Sequence, residues 1–505
     1  MPRKLSARDW ALTALLMAAC YFPLFHQLGN APVQIWDESL YAVNALEMEA
    51  NRNYLIKYFY DKPDLWNTKP PFMIWVQILF MKAFGYNELA FRLPSALSAV
   101  LTLLLLVRFS WTEFRTVGPG LLAGLCLLTA GGYVTGHVTR TGDHDAPLVL
   151  LLTASALYAY KFLVHPEKKK RNALIASGAL VLATLIKGIM GLLFLPGLFA
   201  FALLQRKASE TFRLPNTYVA IGLYLIVVGG YYGYHEFATP GYLEAVWKNE
   251  MGGRYLGTIE GHRHDFWLYL NQLMYVQFTP WVFLFPVAAF VAWRTDACNG
   301  RAFAKLAVCV TVAYWLIISS AQTRMVWYNA PMLPLMSLVV GLGLHVALNA
   351  VMERWTFGPR ERVAFVALVT ICAFGLPYRN TVQRVLSREQ LPGYLKFGYF
   401  VKHLAANKPN LQRYTILGSG WISHLKFYEL ASRRQPGTRI VAVNDTTRVS
   451  IGDTVMMCQD ETKQKVKSVY DVRLLEQYDE CELVVLKGLL ITSTQDFTDQ
   501  ALPSR

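Results

Sequence analysis

The sequence predicts a mainly α fold, a polytopic membrane helical bundle of about 11–13 transmembrane helices, followed by a soluble α/β domain at the C-terminus. Three observations carry this expectation. Of 505 residues, 54% are hydrophobic and only 16% are charged. Apolar runs of about 16–24 residues recur, close to the roughly 20 that a helix needs to cross hydrocarbon. From about residue 391 the pattern changes to short apolar stretches of strand length, separated by polar segments with helical spacing.

Taken in order, the candidate spans are 10–28, 89–108, 118–137, 146–164, 172–187, 188–204, 216–235, 269–293, 303–320, 325–348 and 363–377. A basic stretch before the first of them resembles a signal peptide, but no small-residue cleavage site comes after it, so an uncleaved first helix is expected. If the spans alternate, the basic loops at 2–8, 108–115, 165–171 (with Lys168, Lys169 and Lys170), 205–213, 293–305 and 354–362 share one side. The positive-inside bias makes that side cytoplasmic. The net charge of +15 is thereby assigned to membrane orientation, and nucleic acid is not expected as a partner. Segment 71–84 is apolar, yet counting it as one full span reverses every later loop. It is therefore expected to be interfacial or re-entrant, or one of two further crossings.

The opposite, extracytoplasmic side then receives loops 29–88, 138–145, 236–268 and 321–324 and the tail. The expected division is a membrane domain at 1–380 and a periplasmic α/β domain at 381–505, with strands around 414–417, 440–443, 454–457 and 483–486 and a helix at 421–431. Gly418 and Gly420 after a strand are compatible with a phosphate loop or with a tight turn, and GSG alone favours the turn. The seven cysteines show no metal spacing and no disulfide framework. Cys458 and Cys481 are the one pair that could be exposed together, and a bridge between them is not expected.

The chemistry-bearing residues collect on the extracytoplasmic side. Asp37 and Glu38 come directly after the first span, and read either as a solvated helix start or as one half of an acidic site. A second acidic group, Asp143, His144 and Asp145, is expected on the same face, which is what a base or a metal site needs. Lys69, before Pro70 and Pro71, is either a snorkelling lysine or an ammonium positioned for a lipid phosphate. Loop 236–268 adds Glu244, Glu250, Arg254, Glu260, His262, Arg263, His264 and Asp265, most of them suited to a wet loop. Arg324, with Trp327 and Tyr328, and Lys187, with Gly188, each read as a membrane anchor or as a substrate contact.

Seven ordered motifs give these residues a family resemblance. They are WDESLYAVNALEM at 36–48, NTKPPFMIW at 67–75, FGYNELAFRLPSAL at 84–97, RTGDHDAPLVLLL at 140–152, LIKGIMGLLFLP at 185–196, HRHDFWLYL at 262–270 and RMVWYNAPMLP at 324–334. Over about residues 5–380 the chain resembles the GT-C membrane glycosyltransferases, in the branch shared by bacterial aminoarabinose (lipid A) transferases and protein O-mannosyltransferases. The resemblance implies that Asp37 is the essential acid, supported by Glu38 and Tyr41. It implies that Lys69 holds the phosphate of a polyprenyl-phosphate sugar, that Asp145 rather than Asp143 is the second acid, and that Tyr328 lies near the lipid phosphate. His262 matches a histidine that ligates a divalent metal, Zn²⁺ or Mg²⁺. The chain departs from the pattern at Thr68, where the aminoarabinose branch has a metal-binding glutamate.

These implications make a consistent chemistry without a nucleotide. A phosphate on C1 of a sugar leaves readily when cations stabilise it, so Lys69 with Arg254 or Arg324 would suffice. Asp37 would serve as base toward a hydroxyl acceptor and as an orienting group toward one already ionised. The expected protein is a monomeric inner-membrane transferase, with a polyprenyl-phosphate-linked sugar, a lipid or glycan acceptor and membrane lipids as its partners. A protein acceptor is the alternative within the same chemistry. A lipid or solute transporter is the alternative outside it, although charges gathered at one face and the lack of an internal repeat fit a transporter poorly.

Overall fold

The computed structural model describes residues 5–165, 169–258, 261–294, 299–355, 357–387 and 393–490. Lys168, Glu260, Cys298 and the expected tail boundary near residue 391 lie outside the described residues. The chain divides into two compact units: Met1–Asn30 with Leu40–Glu389, and Ala31–Ser39 with Gln390–Arg505.

The larger unit is helical. Among the described residues, seven helices are long and apolar enough to cross a membrane: Glu88–Glu113, Asp145–Val164, Lys169–Leu192, Pro215–Ala238, Gly300–Ser320, Val326–Arg354 and Pro359–Leu386. The pair Leu268–Gln277 and Trp281–Arg294, bent by 104°, is a broken span or a re-entrant loop. The bend falls beside Pro280, whose nitrogen has no hydrogen to give the helical ladder. Among these helices burial differs sharply: 61% of the apolar window of Glu88–Glu113 is buried within the chain, against 6% for Pro359–Leu386. The first helix is thus central, and the second presents its apolar side chains outward, as a lipid-facing span does.

Three expected spans come out differently. That expected over 10–28 is the helix Ala7–Ala19 and then the short π-helix Tyr21–Phe25. The helix expected over 118–137 stops at Leu128, because the glycines beyond it serve a close approach: a Cβ on Gly132 would lie 2.6 Å from Cβ of Gln277. The one expected over 188–204 is a short 3₁₀ turn, Gly188–Leu192, and then the helix Leu195–Leu204, with Pro196 in its first turn. The apolar stretch 71–84 forms the helix Phe72–Phe84 of 13 residues. At about 1.5 Å per residue that is roughly 20 Å, short of the ~30 Å hydrocarbon core, as expected of an interfacial or re-entrant element.

The smaller unit carries a five-stranded sheet in the spatial order 439–443, 413–417, 454–457, 481–489, 470–478. Arg413–Leu417 pairs in parallel with Arg439–Val443 and with Thr454–Met457, while Cys481–Leu489 runs antiparallel to Thr454–Met457 and to Tyr470–Tyr478. The helices Leu395–Asn407, Ser423–Ser432 and Asp460–Val469 complete the α/β layer. Val455, Met457, Val484 and Leu486 meet Leu417, Val443 and Val466 in its core. The expected strands are present. The alternating, half-exposed strand Tyr470–Tyr478 was not expected, since its Asp, Arg and Glu residues hide the apolar period. Gly418 and Gly420 form a turn: a Cβ on Gly418 would lie 2.7 Å from Leu425, and Gly420 has φ +71°.

One expectation is corrected here. Cys458 and Cys481 form a disulfide, with Cα atoms 4.0 Å apart. They continue the register that pairs Met457 with Glu482, so neighbouring antiparallel strands deliver the two side chains to each other.

Segment 31–39 belongs to this smaller unit. Trp36 stacks on Trp421 with centroids 5.8 Å apart, the Ser39 and Ser423 hydroxyls are 2.6 Å apart, and the Tyr394 hydroxyl donates to Gln34 at 3.1 Å. Trp36 holds φ +71°, a left-handed conformation that costs a non-glycine residue about 1–2 kcal/mol. The Ser39 hydroxyl donating to its carbonyl at 2.9 Å helps fix it. Directly after it begins the helix Asp37–Ala50.

Candidate active site

The loop between the helices Asp37–Ala50 and Phe72–Phe84 folds around Asp64. Its carboxylate accepts from the amides of Trp66 and Asn67, each at 2.9 Å, and from the Asn44 side chain at 2.9 Å. The Asn67 amide in turn donates to Asn44 at 2.8 Å. Aspartate bonding the amides two and three residues on is an Asx-type turn, and Asn44 fastens that turn to the helix Asp37–Ala50. Thr68 is held from another side, its carbonyl accepting from the Tyr242 hydroxyl at 2.6 Å and its hydroxyl donating to Glu250 at 3.4 Å. Lys57 donates to the carbonyl of Lys69. The loop thus delivers Lys69 on a main chain bonded at consecutive residues, with Pro70 and Pro71 stiffening the backbone on its far side.

From Lys69 a chain of contacts runs through the larger unit. The Lys69 ammonium lies 5.5 Å from the ring centre of Tyr41, and Tyr41 stacks on His144 at 4.0 Å. Asp145, next in sequence, opens the helix Asp145–Val164 and receives Lys187 at 2.7 Å on both carboxylate oxygens. Lys187 lies 5.4 Å from the ring of Tyr328, whose hydroxyl accepts from Arg254 at 2.9 Å. Two lysines, an arginine and two phenols therefore border one another, with the Asp145 carboxylate paired directly among them. Such a locus favours an anion, and donors of this kind match the oxygens of a phosphate. His144 is fully buried, and burial together with Lys69, Lys187 and Lys57 pushes its imidazole well below the usual histidine range. It is a neutral ring on which Tyr41 rests.

The glycine in RTGDHDAP is explained by the same locus. Any Cβ on Gly142 would come within 2.0 Å of Phe91, and its carbonyl accepts from Gln77 at 2.7 Å. Arg140 donates to the carbonyls of Pro23 and His26 at 2.9 and 2.8 Å, anchoring the loop to the end of the first helical segment.

Of the residues singled out from the sequence, this chain of contacts includes Lys69, Tyr41, Asp145, Arg254 and Tyr328. Asp37 opens the helix Asp37–Ala50. Glu38 is buried and accepts from the amide of Gln34 at 2.8 Å, so it supports the turn entering this helix. Arg324 departs from a substrate-binding role: its guanidinium bonds the carbonyls of Ser319, at 2.8 and 3.0 Å, and of His264. The neighbouring amides of Thr323 and Arg324 donate to the carbonyls of Arg254 and His262 at 2.9 and 3.1 Å. Arg324 therefore seats the loop that carries Arg254.

Lys187, left open on sequence grounds, is a full member of the locus. Lys57, Asn44 and Asp64 were not singled out, because each is of a type that reads as solvent-facing. Thr68 stands in place of the glutamate, and no three His, Cys, Asp or Glu side chains converge among the described residues.

The profile of the family described as dolichyl-phosphate-mannose-protein mannosyltransferase matches residues 68–232. Among curated relatives, undecaprenyl phosphate-alpha-4-amino-4-deoxy-L-arabinose arabinosyl transferase 2 of Pseudomonas fluorescens is 26% identical over 363 residues, 68% of this chain and 58% of the relative. The arabinosyl transferase 1 of Sodalis glossinidius is 26% identical over 350 residues, 66% of this chain and 59% of the relative. The chain thus matches less than two thirds of the length of these relatives. The crystal structure of ArnT from Cupriavidus metallidurans bound to undecaprenyl phosphate superposes with a TM-score of 0.71 at 18% identity, covering 95% of this chain and 98% of that one, so the fold is shared from end to end. In its ordered motifs, in the part that the profile matches and in its fold, the chain is similar to the GT-C membrane glycosyltransferases of the aminoarabinose transferase and protein O-mannosyltransferase branch.

Proposed function

We propose that this protein is an integral membrane glycosyltransferase that moves a sugar from a polyprenyl-phosphate donor to a lipid, lipid A-like, or glycan acceptor on the periplasmic face, inverting the anomeric carbon. The observation that carries the reading is the cationic locus formed by Lys69, Lys187 and Arg254 with Tyr41 and Tyr328. Relatives to which the chain is similar carry names that refer to undecaprenyl phosphate, which supports the reading.

In this reaction the acceptor oxygen forms a bond to C1 of the sugar while the bond from C1 to the phosphate oxygen breaks. The electron pair leaves with the polyprenyl phosphate. Lys69, Lys187 and Arg254 stabilise the charge that develops there, a kind of contribution that mutagenesis elsewhere puts at about 10²–10³-fold per donor. Asp37 takes the proton of a hydroxyl acceptor, or orients an acceptor already ionised. Asp145 holds Lys187 in place. With Thr68 where a ligand would stand, the reading uses neither a metal nor a nucleotide, and transfer is expected to survive chelation.

The periplasmic assignment is supported by the basic loops of the opposite side and by the Cys458–Cys481 disulfide, a bond that persists in oxidising compartments. The family profile's description favours a protein hydroxyl as the second acceptor class. Purified protein in liposomes, supplied with undecaprenyl-phosphate sugars and with lipid, glycan or peptide acceptors, separates these readings. Asp37→Asn is expected to abolish transfer while leaving donor binding intact. Unimpaired transfer by Asp37→Asn would overturn the assignment of the base.

A further inference from the structure

The loop that delivers Lys69 hides a second lysine. Lys57 is fully buried, and its ammonium donates to the main-chain carbonyl of Lys69. The amide of Asp64 donates to the carbonyl of Lys57 at 2.8 Å, so the turn that builds the loop also fixes the lysine's backbone. The charged and titratable groups facing it are Asp64 and Glu250, which favour its charge, and Lys69, which opposes it; His144 and His235 feel it in turn. A lysine is rarely buried without a task, since desolvating an ammonium is costly.

We propose that Lys57 is a positioning residue for the donor site: from inside the protein it grips the Lys69 backbone and adds a solvent-shielded positive charge behind the phosphate. The inference rests on the proposed donor site and deepens it. Where the resemblance would place a metal beside position 68, this chain has Thr68 bonded to Glu250, and a lysine facing the same carboxylate. The fixed cation of the site is then a side chain. Burial lowers the Lys57 ammonium to about 7, so the added charge is present below neutrality and fades as pH rises through that value.

The test is binding of undecaprenyl phosphate to the full-length protein in nanodiscs, measured at about pH 6 and about pH 8.5 on either side of that titration. Wild type, Lys57→Arg, Lys57→Met and Lys69→Met are compared. Because the phosphate also titrates, the readout is each variant against wild type at the same pH. An arginine keeps its charge throughout, so wild type should lose affinity relative to Lys57→Arg by about tenfold between the two pH values, the scale of one screened charge contact. Lys57→Met should bind weakly at both, with a pH response unlike that of wild type. Parallel profiles for wild type and Lys57→Arg, or wild-type affinity in folded Lys57→Met, would overturn the role of Lys57 alone. If Lys57→Met does not fold, the arginine comparison still decides. Wild-type protein that binds at neither pH, or Lys69→Met that binds as well as wild type, would overturn the donor site itself.

Discussion

Asp145 and Lys187 show most directly how single residues set this site. Each is buried, and the pair is held by two bonds of 2.7 Å. Removing one member leaves the other charge without its partner, which costs about 3–5 kcal/mol in buried pairs. Asp145→Asn is therefore expected to lower thermal stability in detergent as well as transfer, whereas Lys69→Met should lower transfer and donor affinity with little loss of stability. A thermal shift read beside a transfer rate distinguishes the two. Asp37, Lys69 and Tyr328 could be singled out because short motifs carry them. Lys57 could not, because burial is what makes it consequential and burial is not written in residue type.

At the scale of elements, the loops that border the site are organised by a few side chains that bond main chain. Asp64 turns the loop, Asn44 ties it to the helix Asp37–Ala50, and Arg324 seats the loop of Arg254 through the carbonyls of Ser319 and His264. Asn44→Ala should leave the spans intact but raise the KM for donor, since the loop bearing Lys69 loses its fastening. A kcat that falls with KM unchanged would count against that view. Gly142→Ala forces a methyl into Phe91, and overpacking of this kind costs about 1–3 kcal/mol; its melting temperature should drop accordingly. Most helices could be placed from apolar runs alone. The break near Leu128 could not, because it goes with a close approach between segments far apart in sequence, that of Gly132 to Gln277.

For the whole molecule, the sequence pattern anticipates a bundle of spans with an α/β tail. It does not anticipate that residues 31–39 join the tail, where Trp36 stacks on Trp421 and Ser39 meets Ser423. Nor does it show the bridge between Cys458 and Cys481, since only strand register brings the two thiols together. The account as a whole depends on the cationic locus having been built for a lipid-linked phosphate. The most direct measurement compares binding of undecaprenyl phosphate and undecaprenol, which share the hydrocarbon chain and differ in the phosphate, by wild type and by Lys187→Met. The account predicts that wild type prefers the phosphate by at least about tenfold, a margin of roughly 1.4 kcal/mol, and that Lys187→Met loses most of that preference. Equal binding of the alcohol and the phosphate by wild type would contradict it.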